Sequence, residues 1–498
     1  MVAEFLTIRN LTSTPIELKL VERFSPPKKR RHGFQSFAKN LTRRATNVTR
    51  SANPVDALAN EEPFARQDVN IRVEPFTTAK TDIRAFERNR KERMRLTIEA
   101  GGERHQVQTP VPTSESATMR ALSDNPRFSF TGVYITRESH LAVFSSANLQ
   151  AWMRELRDDT LLSALSIPGT HNTPTCYVAA PSVRCQAVSP REQLENGIRF
   201  FDIRVQPEHP NNPARDELIL VHSAFSVSLT STKYFRDLMH EVDEFLDQNP
   251  SETLIMSIKR EGTGKSTDEQ LSRILRDHYA HPDSRWYTEP RIPTLGEVRG
   301  KVVLIRRFNI EERLKHEHDG RGWGINADGW EDNTPHAVCP SGHLCIQDFY
   351  QVLETEYIHR KIQYVREHLD RSSCTRYPFG ALQTDEQCRQ HPFYINFLSA
   401  SNFWKVQTWP ERIAAKLNPA TVDYLCRKHS EKDGDWSTGI LVIDWVGLDG
   451  DWDLVRCIVG MNAKLMMRQQ QENGQESCLE EKDEKSFVSQ ECIDKLCE

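Results

Sequence analysis

At 498 residues the chain exceeds one ordinary domain and suggests two, at most three. Its formal net charge of −5, with 27% charged residues, is that of an ordinary soluble protein, and no overall basic excess points to nucleic acid. No apolar run approaches the roughly 18 residues of a membrane span, so contact with a membrane is expected to be peripheral.

The opening MVAEFLTIRN has neither a basic nor an apolar signal region. Eleven cysteines, with no CxxC pair and no His/Cys zinc spacing, read as buried or free thiols of a reducing compartment. A cytoplasmic location, peripheral at membranes, is the expectation. Cys176 and Cys185 are close enough in one loop to pair if the chain were exported.

Residues 1–148 read as a β-rich domain. Short β-type runs at Leu6–Asn10, Ile16–Val21, Asp68–Val73, Met94–Glu99 and Gly132–Thr136 alternate with polar turns, as in a small β-sandwich. No catalytic constellation falls inside it. A basic loop near residues 26–50 interrupts the strands, with Lys28, Lys29, Arg30 and Arg31 followed by Phe34, Phe37 and Leu41 on one helical face. It reads as a solvated loop; an anionic-membrane patch and a nuclear localisation signal are the functional alternatives.

Residues 149–467 change regime. Apolar runs at Leu161–Ile167, Ile198–Val205, Leu218–Val221, Thr253–Ile258, Val302–Ile305, Leu344–Ile346, Phe393–Leu398 and Gly439–Ile443 alternate with helical patterns. Near-continuous apolar strands imply parallel strands covered on both faces, and eight of them fit a closed (β/α)8 barrel. Phe235, Leu238, Met239, Val242, Phe245 and Leu246 mark one helix ending at Asn249-Pro250. Ser266 and Glu269 suggest a capping box ahead of Leu271, Ile274 and Leu275. Val352, Ile358, Ile362, Val365 and Leu369 mark another helix, and Leu454 to Leu465 the last. Residues 468–498, rich in Gln, Glu and Lys, read as a disordered acidic tail.

Polar residues recur where these strands end, the place where a parallel barrel carries its chemistry. His171 and Asn172 follow the first strand, and Asp202 and Arg204 sit on the second. His222 ends the third, Lys259-Arg260-Glu261 the fourth, Arg306-Arg307 the fifth, Asp348 the sixth and Asp444 the eighth. Two imidazoles can exchange protons near neutral pH, and arginines offer fixed forked charges to phosphate oxygens. A carboxylate behind one histidine fixes its tautomer. Nothing in this set calls for a metal or another cofactor.

These residues lie in segments that resemble the X domain of the bacterial-type phosphatidylinositol-specific phospholipases C. The segments are Leu162–Thr173 (LSALSIPGTHNT), Arg191–Arg204 (REQLENGIRFFDIR), Asn249–Lys259 (NPSETLIMSIK), Leu295–Phe308 (LGEVRGKVVLIRRF) and Ile346–Val352 (IQDFYQV), with YINF at Tyr394–Phe397 and GILVIDW at Gly439–Trp445. The resemblance implies that His171 is the general base with Asp444 behind it, His222 the general acid and Arg204 the stabiliser of the phosphorane, with Asp202 beside it. It implies that Lys259, Arg307 and Asp348 bind inositol hydroxyls and that Tyr350 stacks on the ring. The substrate would be phosphatidylinositol or a related inositol phospholipid, split by its own 2-hydroxyl into diacylglycerol and a cyclic inositol phosphate.

Residue 172 departs from the family, whose bacterial members have Asp there. The resemblance implies that this Asp supports the acid histidine, so Asn172 is expected to orient His222 with less support for its charge, and Asn172→Asp to raise turnover or extend activity to higher pH. His-Asn also resembles the calcium-dependent relatives, but Arg204 stands where they place a carboxylate, which argues against Ca²⁺. Trp323, Trp330, Phe403, Trp404 and Trp409 are expected around the mouth. Two alternatives stay open: a catalytically weak phosphoinositide-binding module, and a barrel phosphodiesterase acting on glycerophosphodiesters or sphingomyelin. The latter typically carry Glu-x-Asp where this chain has Asp202-Ile203-Arg204.

Overall fold

The computed structural model describes residues 5–26, 61–85, 92–110, 115–180, 182–212, 214–354 and 356–472. All but the first residue of the basic loop, and the acidic tail beyond residue 472, lie outside the described residues. The chain divides into two compact units, 1–146 and 147–498.

In the first unit the described residues form two five-stranded sheets. One runs Thr78–Arg84, Phe5–Leu11, His140–Ser145, Phe130–Ile135 and Ser116–Thr118; the other runs Ala65–Val73, Ile16–Phe24, Arg93–Ala100, Glu103–Thr109 and Arg120–Ala121. Side chains from both, among them Leu6, Ile8, Leu18, Val21, Leu96 and Ile98, share one core. A register shift between Leu18 and Leu20 reverses the alternation there, so Val21 points inward although it is an odd number of residues from Leu18.

The second unit is built on a mostly parallel sheet. Its main strands are β1 (Ile167–Thr170), β2 (Phe200–Pro207), β3 (Leu218–His222), β4 (Leu254–Arg260), β5 (Val302–Arg307), β6 (Leu344–Gln347), β7 (Phe393–Phe397) and β8 (Ile440–Ile443). Hydrogen bonding follows the order β5-β4-β2-β1-β8-β7-β6, with short two-residue strands at 286–287 and 325–326 beside β5 and 337–338 beside β6. Among the described residues no ladder joins β5 to β6, so the expected closed eight-stranded barrel is not what the backbone forms. The reason lies partly in β3. It doubles back antiparallel on β2, with Val205 opposite Leu220, and leaves seven main strands running parallel. The first strand is also displaced: Leu162–Ala164 is a single 3-10 turn, and the strand lies in Ile167–Thr170 itself.

Among the described residues, the α-helices of eight or more residues in this unit include α1 (Phe235–Gln248), α2 (Asp268–His278), α3 (Tyr357–Cys374), α4 (Pro410–Arg427) and α5 (Asp453–Gly460). In α1 all six residues of the apolar stripe are buried, each contributing roughly 1.5–3 kcal/mol by transfer. The cap of α2 falls one residue later than the sequence suggests, with Thr267 and Gln270 forming the reciprocal box. Val352 precedes α3 rather than belonging to it. A further helical segment, 463–472, carries buried Gln469 and an Arg468–Asp435 ion pair at 2.8 Å. The folded unit therefore runs past the expected boundary at 467.

Beneath the sheet, Arg199 and Glu252 form an ion pair at 2.9 Å with both side chains fully buried. The guanidinium also donates to the carbonyls of Leu194, Ile198, Leu149 and Gln150. Removing one partner strands the other charge in a dry interior. Arg199→Ala is expected to cost roughly 3–5 kcal/mol, read as a lowered denaturation midpoint of this unit, while a surface control such as Arg215→Ala leaves the midpoint within about 0.5 kcal/mol.

Candidate active site

The loop after β1 is shaped by close approach and by a tight turn. A Cβ on Gly169 would lie 2.8 Å from the Phe200 Cβ and 3.1 Å from its carbonyl oxygen, so only glycine lets β1 run beside β2 there. Asn172 then takes a left-handed φ of 43°, a conformation Asn tolerates better than most residues. Its carbonyl accepts from the Thr175 N–H at 2.9 Å and hydroxyl at 2.7 Å. Gln186 Nε2 ties the loop to β8 by donating to the carbonyls of His171 and Ile443 at 2.7 and 2.9 Å. His171 is thereby held at the end of the strand.

Its ring is engaged at both nitrogens. Nδ1 lies 2.8 Å from Asp444 Oδ1, and Asn172 Nδ2 donates to Nε2 at 2.9 Å. Burial works against charge on this ring, yet Asp444 and then Cys185 outweigh it and hold His171 well above the ordinary imidazole range. Asn172 thus meets His171, and the expectation that it orients His222 is corrected. The turn geometry is the cause, since it folds the Asn side chain back over its own neighbour.

His222 is held otherwise. Its Nδ1 lies 2.8 Å from the Val183 carbonyl and 4.0 Å from Cys185 Sγ, and its ring stands 6.0 Å, edge to face, from that of His171. Burial lowers its proton affinity, but Cys185 and the Val183 carbonyl more than offset this and the nearby His171, leaving it raised. Cys185 is fully buried. Burial and Asp444 push its thiol up, while the two histidines together pull it below the ordinary thiol value. His171, Cys185 and Asp444 keep potential ligand atoms within 4.8 Å of one another, but the 2.8 Å contact already commits the imidazole to the carboxylate.

Opposite the histidines stands a row of cations. In the parallel register Arg204 pairs with Lys259, and Lys259 with Arg307. Three positive side chains therefore occupy one level of adjacent strands and point the same way. Carboxylates are set among them. Arg204 donates to Asp202 Oδ2 at 3.0 Å and to Glu261 Oε1 at 2.6 Å, and Lys259 reaches Glu261 at 3.1 Å. Arg307 lies 3.7 Å from Asp202 and 3.9 Å from Asp348. Burial would raise Asp202, but Arg204 and Arg307 hold it far below the usual carboxylate range; Glu261, half-buried, is held at about 2 by Arg204 and Lys259. Arg306 points to the other face and binds the Trp323 and Phe308 carbonyls.

One cavity of about 300 Å³ collects His171, Arg204, His222, Lys259, Arg307, Asp348, Tyr350 and Asp444. Asn172 and Asp202 are buried and support it without lining it. Glu261, named in the sequence only as part of the end of the fourth strand, also lines it, as do Asp332 and Ser399 to Ser401, which the sequence did not point to. Glu261 carried a signal, lying just past β4 and two residues after Lys259; Cys185 read only as a possible disulfide partner of Cys176, with nothing to mark it for the site. A second groove of about 400 Å³, lined by Val183, Phe225, Phe403 and Trp404, shares His222, Ser223 and Ser401 with the first. Trp404 is 88% exposed, and the Phe225 and Phe403 rings stack at 6.0 Å. Trp330 stacks under Arg307, with its Nε1 donating to Asp348 at 3.1 Å. Trp409 is half-buried, and Trp323, expected at the rim, is a buried core residue.

Because Cys185 raises both histidines, Cys185→Ala is expected to lower the titration midpoints of both in an NMR pH series. His171 stays elevated, since Asp444 remains. His222 falls further, because burial and His171 are then opposed chiefly by the Val183 carbonyl. Unchanged midpoints would remove Cys185 from the site.

Comparison with known proteins agrees with this geometry. Residues 159–308 match the family described as phosphatidylinositol-specific phospholipase C, X domain. The 1-phosphatidylinositol phosphodiesterase of Listeria monocytogenes is 28% identical over 312 residues, covering 60% of this chain and 82% of that protein. Its namesake from Staphylococcus aureus is 26% identical over 347 residues, covering 65% and 97%. A solved structure of the Staphylococcus aureus phosphatidylinositol-specific phospholipase C aligns with a TM-score of 0.50 at 25% identity, over 63% of this chain and 98% of that one. Residues 159–308 thus match the X domain of the phosphatidylinositol-specific phospholipases C, and the chain is similar to bacterial proteins of that kind.

Proposed function

We propose that the chain cleaves inositol phospholipids, most simply phosphatidylinositol, to diacylglycerol and a cyclic inositol phosphate. The observation that carries this reading is the single cavity in which two imidazoles face a row of three cations. Arg204 and its neighbours attract the phosphodiester and stabilise the charge that grows on its oxygens. His171 Nε2 takes the proton of the attacking 2-hydroxyl, with the Asp444 carboxylate supporting the imidazolium that forms. His222, its Nδ1 fixed on the Val183 carbonyl, gives a proton from Nε2 to the departing glycerol oxygen. Lys259, Arg307 and Asp348 are placed to hold inositol hydroxyls, and Tyr350, donating its own hydroxyl to Asp332, to pack on the ring.

Asn172 fits this cycle better than a carboxylate would. Its amide nitrogen donates to the neutral His171 ring, and its oxygen, buried without a partner, can accept from the protonated ring after a rotation of the amide. A carboxylate serves the protonated ring alone. Phe225, Phe403 and Trp404 would dip into a membrane surface beside His222; among the described residues no helix is long and apolar enough to cross one. We take the second unit as a (β/α)8-type barrel left open between β5 and β6, and the first as an all-β sandwich ahead of it. One observation favours the alternative, a head-group-binding module of low turnover: until the amide rotates, Asn172 Nδ2 occupies the His171 Nε2 lone pair that a base must use.

Phosphatidylinositol vesicles with and without chelator test the reading. Cyclic inositol phosphate is expected in both, and His171→Ala or His222→Ala should each lower its rate by roughly 10²–10⁴-fold. Loss in chelator, with recovery on adding Ca²⁺, would contradict the role given to Arg204. Head-group binding without product in the wild type would favour the module.

Asn172→Asp gives the second test. A carboxylate at Nε2 raises His171 further, and a base must be neutral to act, so the ascending limb of the pH profile moves to higher pH. Turnover at neutral pH then falls about tenfold per pKa unit. A rise in turnover would return Asn172 to the service of His222.

A further inference from the structure

We propose that His336, Cys345 and His368 form a binding site for a borderline-soft divalent cation, Zn²⁺, on the outer side of the sheet at its unclosed edge. His336 precedes the short strand at 337–338, Cys345 sits on β6 and His368 on α3. Their potential ligand atoms all lie within 4.8 Å of one another. Zn–S and Zn–N bonds of about 2.3 and 2.0 Å require ligand atoms roughly 3.3–3.7 Å apart, and Cys345 Sγ already lies 3.7 Å from His336 Nδ1.

A thiol–imidazole hydrogen bond would account for that pair but leaves His368 unexplained. Its side chain is fully buried, yet neither ring nitrogen has a hydrogen-bond partner, although the Cys345 backbone lies close enough to favour a proton on the ring slightly. A neutral buried ring with an unused lone pair is what a metal needs.

The chemistry of the set selects the ion. Two imidazoles and a thiol suit Zn²⁺ and disfavour the oxygen-seeking Mg²⁺ and Ca²⁺. His336 is exposed, so water can approach and complete a tetrahedron. Binding breaks the Cys345 S–H bond, forms an S–Zn bond and sends the proton to solvent; the thiolate then balances part of the ion's charge. Arg371, one turn beyond His368, faces all three ligands. Its positive charge opposes that of the ion, and the Cys345 thiolate offsets it. The long spacing between 336, 345 and 368 hides the set from a search for short His/Cys motifs.

The test uses the full chain, stripped of metal by dialysis against chelator and titrated with Co²⁺. Tetrahedral ligand-field bands and a thiolate-to-cobalt charge-transfer band should grow to a single equivalent and vanish on adding Zn²⁺. Cys345→Ser should abolish the charge-transfer band. His336→Ala, at an exposed position that leaves the core intact, should weaken binding by more than the ~10–100-fold typical of losing an outer-shell partner. The combined Cys478→Ser, Cys492→Ser and Cys497→Ser variant should keep the band. Absence of the band in the wild type overturns the proposal, as does its survival in Cys345→Ser or undiminished affinity in His336→Ala.

Discussion

The polar half of the cavity depends on Asp202. Three cations stand at one level of β2, β4 and β5, and without a counter-charge their repulsion would drive them apart or out of the protein. Asp202 sits one side-chain level below, on the same face of β2 as Arg204, accepting from that guanidinium at 3.0 Å and lying 3.7 Å from Arg307. It also accepts from the backbone N–H of Asn172 at 3.2 Å. One buried carboxylate therefore sets both the arginines and the turn that presents His171. A charge buried without its partners is costly, so the arrangement forms as a set.

The same economy explains how the sheet manages without a closed ladder. β5 and β6 share no backbone hydrogen bonds among the described residues, but Arg307 at the end of β5 reaches toward Asp348 after β6, and Trp330 lies against both. Side chains span the gap that backbone leaves. On the outer side of β6, Gln347 joins Asn396 of β7 to Lys361 of α3. Burial pushes that lysine down to about 7 against the pull of Asp348 and Asp444. This edge is thus held by polar contacts on both faces, where most of the sheet is held by apolar packing.

Much of this was legible in the sequence, and the failures are physical. The apolar stripe of α1 and the order of the strands follow from periodicity, because burial of one face dictates it. The antiparallel return of β3 was hidden, since a short apolar run carries no direction. α4 escaped notice because Pro419 lies inside it, a residue that normally argues against helix. At the site, strand-end position located the ring of polar residues, but not which neighbour Asn172 would touch. That choice is made by a left-handed turn and a side-chain torsion, neither of which leaves a trace in residue order. Cys185 became visible only when the loop carrying it folded between the two histidines.

His222 borders both the polar cavity and the apolar groove, and on the proposed function this is where a bound lipid would divide. In that reaction its proton would arrive on the boundary between a wet compartment and a greasy one. The charged fragment is left among arginines open to water, and the neutral fragment among Phe225, Phe403 and Trp404, beside the bilayer that it prefers. The two products have separate exits, so neither must pass the other. On the proposed function, an enzyme so divided would shed its soluble product while its rim stayed at the membrane, and would take several lipids from one surface before departing.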